Sequence, residues 1–165
     1  MIRFATPVDA GRIGEIHVVT WRAAYRGIVP DAFLESLSVG KRAAGWRRGI
    51  EADPQLVLVS EHEGKIDGWV AIGTGRDDDT KTEGEVYALY VAPESWRQGI
   101  GRALMEKAEE ELWNRALNRT VLWVLEQNDR ALRFYESLHY SADGRTKEVN
   151  FTDTTLTELR YEKRK

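Results

Sequence analysis

The spacing of apolar residues along the chain predicts an alternation of strands and helices. Apolar side chains recur at Ile13, Ile16, Val19 and Ala23, which is the period of a helix with one buried face, ending near Tyr25. Apolar runs bounded by turn residues instead predict strands. The predicted strands cover residues 2–5, 56–59, 66–73, 85–91 and 120–125, with two more between 140 and 162. Further helices are predicted from 31, over 41–50, from 100, and after 128.

This order of elements predicts an α/β fold. A strand, a helix and a second strand in the middle of the chain indicate two parallel neighbours joined by a crossover. The turn at Gly64 and the last two strands indicate antiparallel pairs. We therefore expect a mixed, mostly antiparallel sheet of about seven strands with helices on both faces, formed by residues 1–165 as a single domain.

Composition and charge narrow the function classes. The chain has 165 residues, of which 42% are hydrophobic and 31% charged, an ordinary balance for a globular domain. The formal net charge is -3 and basic residues are scattered, whereas a nucleic-acid-binding surface usually concentrates them. No stretch approaches the roughly 20 apolar residues of a membrane span, and the N-terminus lacks the apolar run of a signal peptide. We expect no nucleic-acid or membrane partner and a cytoplasmic location.

The residue types that bind metals and form disulfides are scarce. There is no cysteine, which excludes disulfides, thiolate metal sites and a cysteine nucleophile. His17, His62 and His139 are far apart and lack the spacing of metal ligands. The sequence therefore predicts no metal site.

The segment between the fourth predicted strand and the long helix has the properties of an anion-binding loop. It consists of Arg97, Gln98, Gly99, Ile100, Gly101 and Arg102. Glycines let a backbone approach a ligand closely, and the first N–H groups of a helix lack partners and carry partial positive charge. A phosphate or pyrophosphate fits there, with the arginines adding charge from the sides. Glycines that serve only the packing of the helix entry are the alternative explanation.

Two other phosphate-binding motifs do not fit this chain. The dinucleotide fingerprint requires a glycine three positions after Gly101, where Leu104 stands. A Walker A loop requires Gly-Lys-Ser/Thr, but the two Gly-Lys pairs are followed by Arg42 and Ile66. A nucleotide-binding domain of either kind is therefore disfavoured.

Residues 85–105, followed by 120–138, resemble the GNAT superfamily of acetyltransferases. In that family a strand precedes the pyrophosphate loop Arg/Gln-x-x-Gly-x-Gly/Ala. Here the loop runs from Trp96 to Gly101, with tryptophan at the first position. This departure is mild because backbone N–H groups do most of the phosphate binding.

Two further segments extend the resemblance. Leu-Glu-Gln-Asn-Asp-Arg-Ala at 125–131, followed by Phe-Tyr-Glu at 134–136, is similar to the family's second cofactor segment. Residues 21–30 look like the N-terminal part of many bacterial members. The resemblance implies a GNAT fold, acetyl-CoA as co-substrate and no metal.

The resemblance also implies where the cofactor lies. The fourth and fifth strands would splay apart, and the pantetheine arm would pair with the backbone of Leu89, Tyr90 and Val91. The pyrophosphate would lie on the 97–102 loop, and Asn128 would add a hydrogen bond to the cofactor arm. A plain helix N-cap is the alternative role for Asn128.

Two residues are candidates for proton transfer. Glu85 stands six residues before Val91, which predicts the same strand face, and falls where histone-acetylating members place a general base. A solvated strand start, or a water chain as the base, is the alternative. Tyr135 lies seven residues after Asn128 and hence on the same helix face. The resemblance implies that it protonates the departing thiolate, and a packed core tyrosine is the alternative.

The acceptor side is less defined. Trp21, Tyr25 and Tyr87 are candidate walls of an acceptor cleft, since aromatic faces suit an amine, although core packing is the commoner role. The acidic run at 77–79 is either a solvated turn or an attractant for polycations.

The sequence therefore predicts an N-acetyltransferase that moves an acetyl group from acetyl-CoA to a primary amine by direct attack in a ternary complex. The acceptor is a small molecule, polyamine, antibiotic or peptide. The alternative is a non-catalytic acyl-CoA-binding sensor module. Aromatic residues such as Trp46 leave a homodimer open.

Overall fold

One seven-stranded mixed sheet runs through the protein, whose computed structural model describes every residue from Met1 to Lys165. The strands are β1 (Ile2–Phe4), β2 (Val57–His62), β3 (Lys65–Thr74), β4 (Gly84–Val91), β5 (Arg119–Leu125), β6 (Ser141–Phe151) and β7 (Thr154–Arg164). The helices are α1 (Ala10–Ala24), α2 (Asp31–Ser36), α3 (Val39–Ala52), α4 (Ile100–Asn114) and α5 (Asp129–Glu136). None of these helices combines the length and apolar character needed to cross a bilayer.

The order of strands in the sheet is β1-β2-β3-β4-β5-β7-β6. Only β4 and β5 are parallel, and α4 connects them; all other neighbours are antiparallel. The prediction of a mixed, mostly antiparallel sheet of about seven strands is thus confirmed.

Helices cover both faces of the sheet, as predicted. On one face, Leu104 and Leu112 of α4 pack in a buried cluster with Val86 of β4 and Leu122 of β5. On the other face, apolar residues of α1 and α3 pack against Trp69 and its neighbours on β2 and β3. We call these the α4 face and the α1 face. Helices therefore cover β4 on both faces and β5 on the α4 face, which explains why both strands are almost entirely apolar.

A β-bulge in β4 changes which side chains share a face. Ala71 pairs with Ala88 and Ile72 pairs with Val86, so Tyr87 is an extra residue on β4. As a result Val86 and Val91, five positions apart, both pack on the α4 face.

The bulge makes the predicted face of Glu85 wrong. Strict alternation would place Glu85 and Val91 together, but Glu85 is the neighbour of Val86 and lies on the opposite, α1 face. On that face the guanidinium of Arg76 donates a hydrogen bond to Glu85 and lies over the ring of Tyr87, which packs on the same side.

Candidate active site

A cleft opens where β4 and β5 separate. Residue pairing between the two strands ends at Val86 of β4 and Leu122 of β5, although β4 continues to Val91 and β5 to Leu125. Beyond that point β5 pairs only with β7, on its other side. The resulting cleft has a volume of about 900 Å³. The edge of β4 that faces β5 is therefore available to an extended ligand along its last residues.

Most of the predicted site residues line this cleft. They are Trp21, Tyr25, Tyr87, Leu89, Tyr90, Val91, Arg97, Gly99, Ile100, Gly101, Arg102, Asn128 and Tyr135. Glu85 and Gln98 are not among its walls. The amide nitrogen of Gln98 donates to the carbonyl of Glu94 at 3.3 Å, so this side chain turns back onto its own loop.

The carbonyl of Val91 is bonded within the protein. It accepts hydrogen bonds from the hydroxyl of Thr20 at 3.1 Å and from the indole nitrogen of Trp96 at 2.7 Å. These bonds connect the end of β4 to α1 and to the loop before α4. They hold one end of the cleft in shape and give a structural role to the tryptophan at the first position of the loop.

The loop before α4 presents the start of that helix to the cleft. Arg97 and Gly99 have positive φ values of 62° and 80°, and Gly99 is the N-cap of α4 without a side-chain cap. At Gly99 the left-handed conformation favours glycine, because a side chain would strain it. The unpartnered N–H groups of the first turn and the positive end of the helix dipole thus point to the cleft.

Three arginines line the same half of the cleft: Arg97, Arg102 and Arg130. The guanidinium of Arg130 lies 3.8 Å from the centroid of the Trp96 ring. Burial lowers the pKa of Arg130, and the positive charge of Arg97 lowers it further. Two like charges held close beside a helix N-terminus fit a bound anion such as a pyrophosphate. Sequence reasoning missed Arg130, whose position depends on its stacking against Trp96.

The first residues of α5 contribute to the opposite wall. The side-chain oxygen of Asn128 accepts a hydrogen bond from the backbone N–H of Ala131 at 3.2 Å, so Asn128 is an N-cap as well as a cleft residue. Tyr135 follows two turns later, with its ring near those of Phe134 and Tyr140. Burial raises the pKa of Tyr135, and the nearby Tyr25 hydroxyl adds to this effect. The phenol therefore carries its proton at neutral pH.

Glu85 is held in a buried ion pair. Only 1% of its surface is exposed, and its carboxylate accepts hydrogen bonds from the backbone N–H of Arg76 at 2.8 Å and from the Nε of Arg76 at 3.0 Å. The arginine side chain is itself 60% exposed. A carboxylate bonded in this way is outside the cleft walls and does not reach an amine in the cleft directly, so the role of Glu85 as a base stays a prediction.

We expect Glu85→Gln to leave turnover within about threefold of wild type, whereas loss of a general base costs about 100-fold or more. The free energy of unfolding should fall by about 1 kcal/mol, because an amide replaces a charged partner of Arg76. Steady-state kinetics and urea unfolding measure the two effects. A loss of turnover near 100-fold in a folded variant would support Glu85 as the base.

The other half of the cleft has aromatic walls. Trp21 of α1 and Tyr25, the residue after that helix, contact each other edge to face with ring centroids 4.8 Å apart. The ring centroid of Phe151 of β6 lies 6.1 Å from that of Trp21. The hydroxyl of Tyr87 donates to the carbonyl of Thr74 at 2.6 Å. These side chains pack against neighbours and also line the cleft, and their role as walls of an acceptor site stays a prediction.

Two of the three carboxylates in the acidic run at 77–79 accept hydrogen bonds from side chains of the sheet. Asp77 accepts from the indole nitrogen of Trp123, a cleft residue, at 3.0 Å. Asp79 forms two hydrogen bonds with Arg160, at 2.8 and 2.7 Å, and Arg160 is only 3% exposed. Asp78 is exposed and pairs with Lys81. Because the buried guanidinium of Arg160 already offsets negative charge of this loop, the structure gives no support to a role in attracting polycations.

The Arg160 pair predicts a pH effect on stability. Its hydrogen bonds lower the pKa of Asp79 from 3.8 to about 2, so the stabilisation is complete above pH 3.8 and disappears as the pH falls towards 2. We expect Asp79→Asn to flatten the stability–pH curve in that window, measured by urea unfolding. Asp78→Asn is the control, because that carboxylate is 98% exposed. An unchanged slope for Asp79→Asn would contradict the coupling.

Fold and site together define a class of protein. Its parallel central strands separate to leave a cleft, and a helix N-terminus and three arginines line that cleft. The family model described as Acetyltransferase (GNAT) family matches residues 21–140. The chain therefore belongs to the GNAT family, and it is an acetyl-CoA-dependent N-acetyltransferase.

Individual relatives agree with this assignment. An uncharacterized N-acetyltransferase, YuaI, from Bacillus subtilis is 32% identical over 91% of this chain and 83% of its own length. The L-amino acid N-acyltransferase MnaT from Escherichia coli is 27% identical over 99% of this chain and 95% of its own. The crystal structure of PaiA N-acetyltransferase from Thermoplasma acidophilum in complex with coenzyme A has a TM-score of 0.78 at 18% identity, covering 100% of this chain and 98% of that one.

Proposed function

We propose that residues 1–165 act as one domain that transfers the acetyl group of acetyl-CoA to the primary amine of a small molecule. The observation that carries this proposal is the separation of β4 from β5 after Val86 and Leu122. It creates a cleft with a cationic half and an aromatic half, which suit the two substrates of such a reaction.

The cationic half is the proposed binding site of CoA. The backbone of Leu89 and Tyr90 would pair with the amide groups of the pantetheine arm, in the manner of an added strand. The first turn of α4, from Ile100 to Arg102, would bind the pyrophosphate. The positive charge of Arg97 lowers the pKa of Arg130, and an anion between the two guanidinium groups would relieve that repulsion.

The reaction needs both partners in the cleft at once. An acceptor that arrives as an ammonium first gives one proton to solvent water. The amine nitrogen then forms a bond to the thioester carbonyl carbon, and the carbon–sulfur bond breaks. The second proton leaves the nitrogen and, passed through water, restores the group that protonates the sulfur. Tyr135 is the proposed donor of a proton to the departing sulfur, because its phenol lines the cleft and burial keeps it protonated. Direct attack within such a ternary complex requires no nucleophile on the protein.

The aromatic half is the proposed acceptor site. Trp21, Tyr25 and Trp123 line it, and aromatic faces attract the cationic form in which an amine arrives at neutral pH. A small acceptor is also consistent with the name of MnaT, an L-amino acid N-acyltransferase that this chain matches over nearly its whole length.

The experiment is measurement of free CoA thiol with acetyl-CoA and a panel of amines: L-amino acids, arylalkylamines, polyamines, aminoglycosides and short peptides. Release that depends on one amine class, with a matching mass increase of 42 Da in the amine (about one acetyl group for one hydrogen), supports the proposal. Acetyl-CoA binding without amine-dependent release would instead indicate a sensor module.

A further inference from the structure

The cleft walls carry three cationic side chains and one acidic side chain. The cationic side chains Arg97, Arg102 and Arg130 belong to the half near α4 and α5, whereas Glu158 is the one acidic residue among all the cleft walls. It lies on β7, on the same face as Arg160 and Leu156, and its neighbour across the ladder is Leu125 of β5.

The position of Glu158 along the sheet is level with the open part of the cleft. Ladder pairing between β4 and β5 ends at Leu122, and Leu125 lies three residues further towards the opening. The backbone N–H of Glu126 donates to the carbonyl of Thr157 at 2.9 Å, which fixes β7 against the end of β5. The carboxylate is therefore carried by a rigid strand rather than by a loop.

Tyr25 connects Glu158 to the proposed proton donor. Burial raises the pKa of Tyr25; a hydrogen bond with Tyr90 and the positive charge of Arg130 lower it, and the negative charge of Glu158 raises it. Tyr25 in turn contributes to the raised pKa of Tyr135. All three side chains line one cleft.

The present partner of Glu158 is weakly held. The ammonium of Lys147 lies 3.4 Å from the Glu158 carboxylate and 4.1 Å from the centroid of the Trp123 ring. Both members of the pair are partly exposed, at 38% and 22%, and exposed pairs of this kind contribute at most about 1 kcal/mol. An ammonium group already lies between a carboxylate and an aromatic face, which shows that the surroundings accommodate such a cation.

We propose that Glu158 binds the ammonium group of the acceptor and thereby selects cationic amines. The inference rests on the proposed function, because it assigns the acceptor to the aromatic half of the cleft. In this arrangement the acceptor exchanges with Lys147 at the carboxylate, while its carbon body contacts Tyr25 and Trp123. A charge-assisted hydrogen bond to this partly exposed carboxylate, together with cation–π contact with Trp123, favours a ligand that carries the charge.

The test compares two ligands that differ in charge. The protein is saturated with CoA, and calorimetry then measures the Kd of 2-phenylethylamine and of 2-phenylethanol, an uncharged molecule of similar shape. We expect the wild type to prefer the amine by about tenfold, equivalent to about 1.4 kcal/mol. In Glu158→Gln the amine and the alcohol should bind with about the same Kd, and the Kd of CoA should be unchanged. Glu158→Asp should retain part of the preference.

Glu148→Gln is the matched control, since Glu148 is an exposed carboxylate next to Lys147 on β6 and does not line the cleft. It makes the same change in net charge and should keep the full preference. A Glu158→Gln variant that binds CoA and still prefers the amine overturns the inference, as does a wild type without any preference. A wild type that does not bind CoA overturns the proposed function as well.

Discussion

Replacing Tyr135 with phenylalanine is expected to lower turnover about 100-fold, or about 2.7 kcal/mol in activation free energy. The substitution removes one hydroxyl from the wall of the cleft and leaves the ring, with its contacts to Phe134 and Tyr140, in place. A thiolate that leaves without receiving a proton is less well stabilised, so the barrier to breaking the carbon–sulfur bond rises. Saturating-substrate kinetics measure this change.

Two companion measurements separate chemistry from packing. The Kd of acetyl-CoA and the midpoint of urea unfolding should both stay close to wild type in Tyr135→Phe, because no packing contact is removed. Tyr140→Phe is the control: its hydroxyl is buried in the same cluster, but the residue does not line the cleft. Full activity in Tyr135→Phe would show that the leaving sulfur needs no protein acid. Parallel losses of stability and activity would favour a packing role.

The fold was largely accessible from the sequence, because its strongest signals are local. The stripe on α4 and the apolar runs of β4 and β5 have the periods of buried elements, and these periods depend only on backbone geometry. The same holds for the α4 entry, where the need for a left-handed residue at Gly99 is visible as a glycine. Ends of elements were less accurate: α3 runs from Val39 to Ala52, with the Ser38 side chain capping it, rather than over 41–50.

The position of Glu85 shows where local reasoning fails. Counting by twos along β4 puts Glu85 and Val91 on one face, but the extra residue Tyr87 reverses the alternation between them. A bulge depends on how two strands pair, and the sequence of β4 alone does not predict it. The exposed Arg76 that bonds Glu85 comes from the preceding loop, whose path depends on tertiary contacts.

Long-range partners were likewise out of reach. Arg160 and Asp79 are 81 residues apart in the chain, yet they form a two-bond pair that fixes the loop beside Trp123. Glu158 stands in a strand of mixed polar and apolar residues, so its sequence context resembles that of any half-exposed strand. Its distinction as the acidic residue of the cleft appears only when β7 is placed beside β5.

Gly101→Asp is expected to weaken acetyl-CoA binding about 100-fold, equivalent to about 2.7 kcal/mol. Gly101 lies in the first turn of α4 and lines the cleft. A carboxylate there occupies the space proposed for the pyrophosphate and repels its negative charge. A Cβ atom at this position would also lie 3.3 Å from the Phe134 ring, closer than ordinary contact. Calorimetric titration with acetyl-CoA measures the loss.

The charge and the added volume have separable consequences. Gly101→Ala adds the Cβ without charge, so it should weaken binding much less, by about threefold, if repulsion is the main cause. A negative side chain in the first turn of a helix interacts favourably with the helix dipole, which offsets the cost of crowding Phe134. The free energy of unfolding of Gly101→Asp should therefore stay within about 1 kcal/mol of wild type, while the affinity for acetyl-CoA falls about 100-fold. Equal weakening in the two variants would mean that shape, and not charge, excludes the ligand. Unchanged affinity in a folded Gly101→Asp protein would remove the start of α4 from the pyrophosphate site.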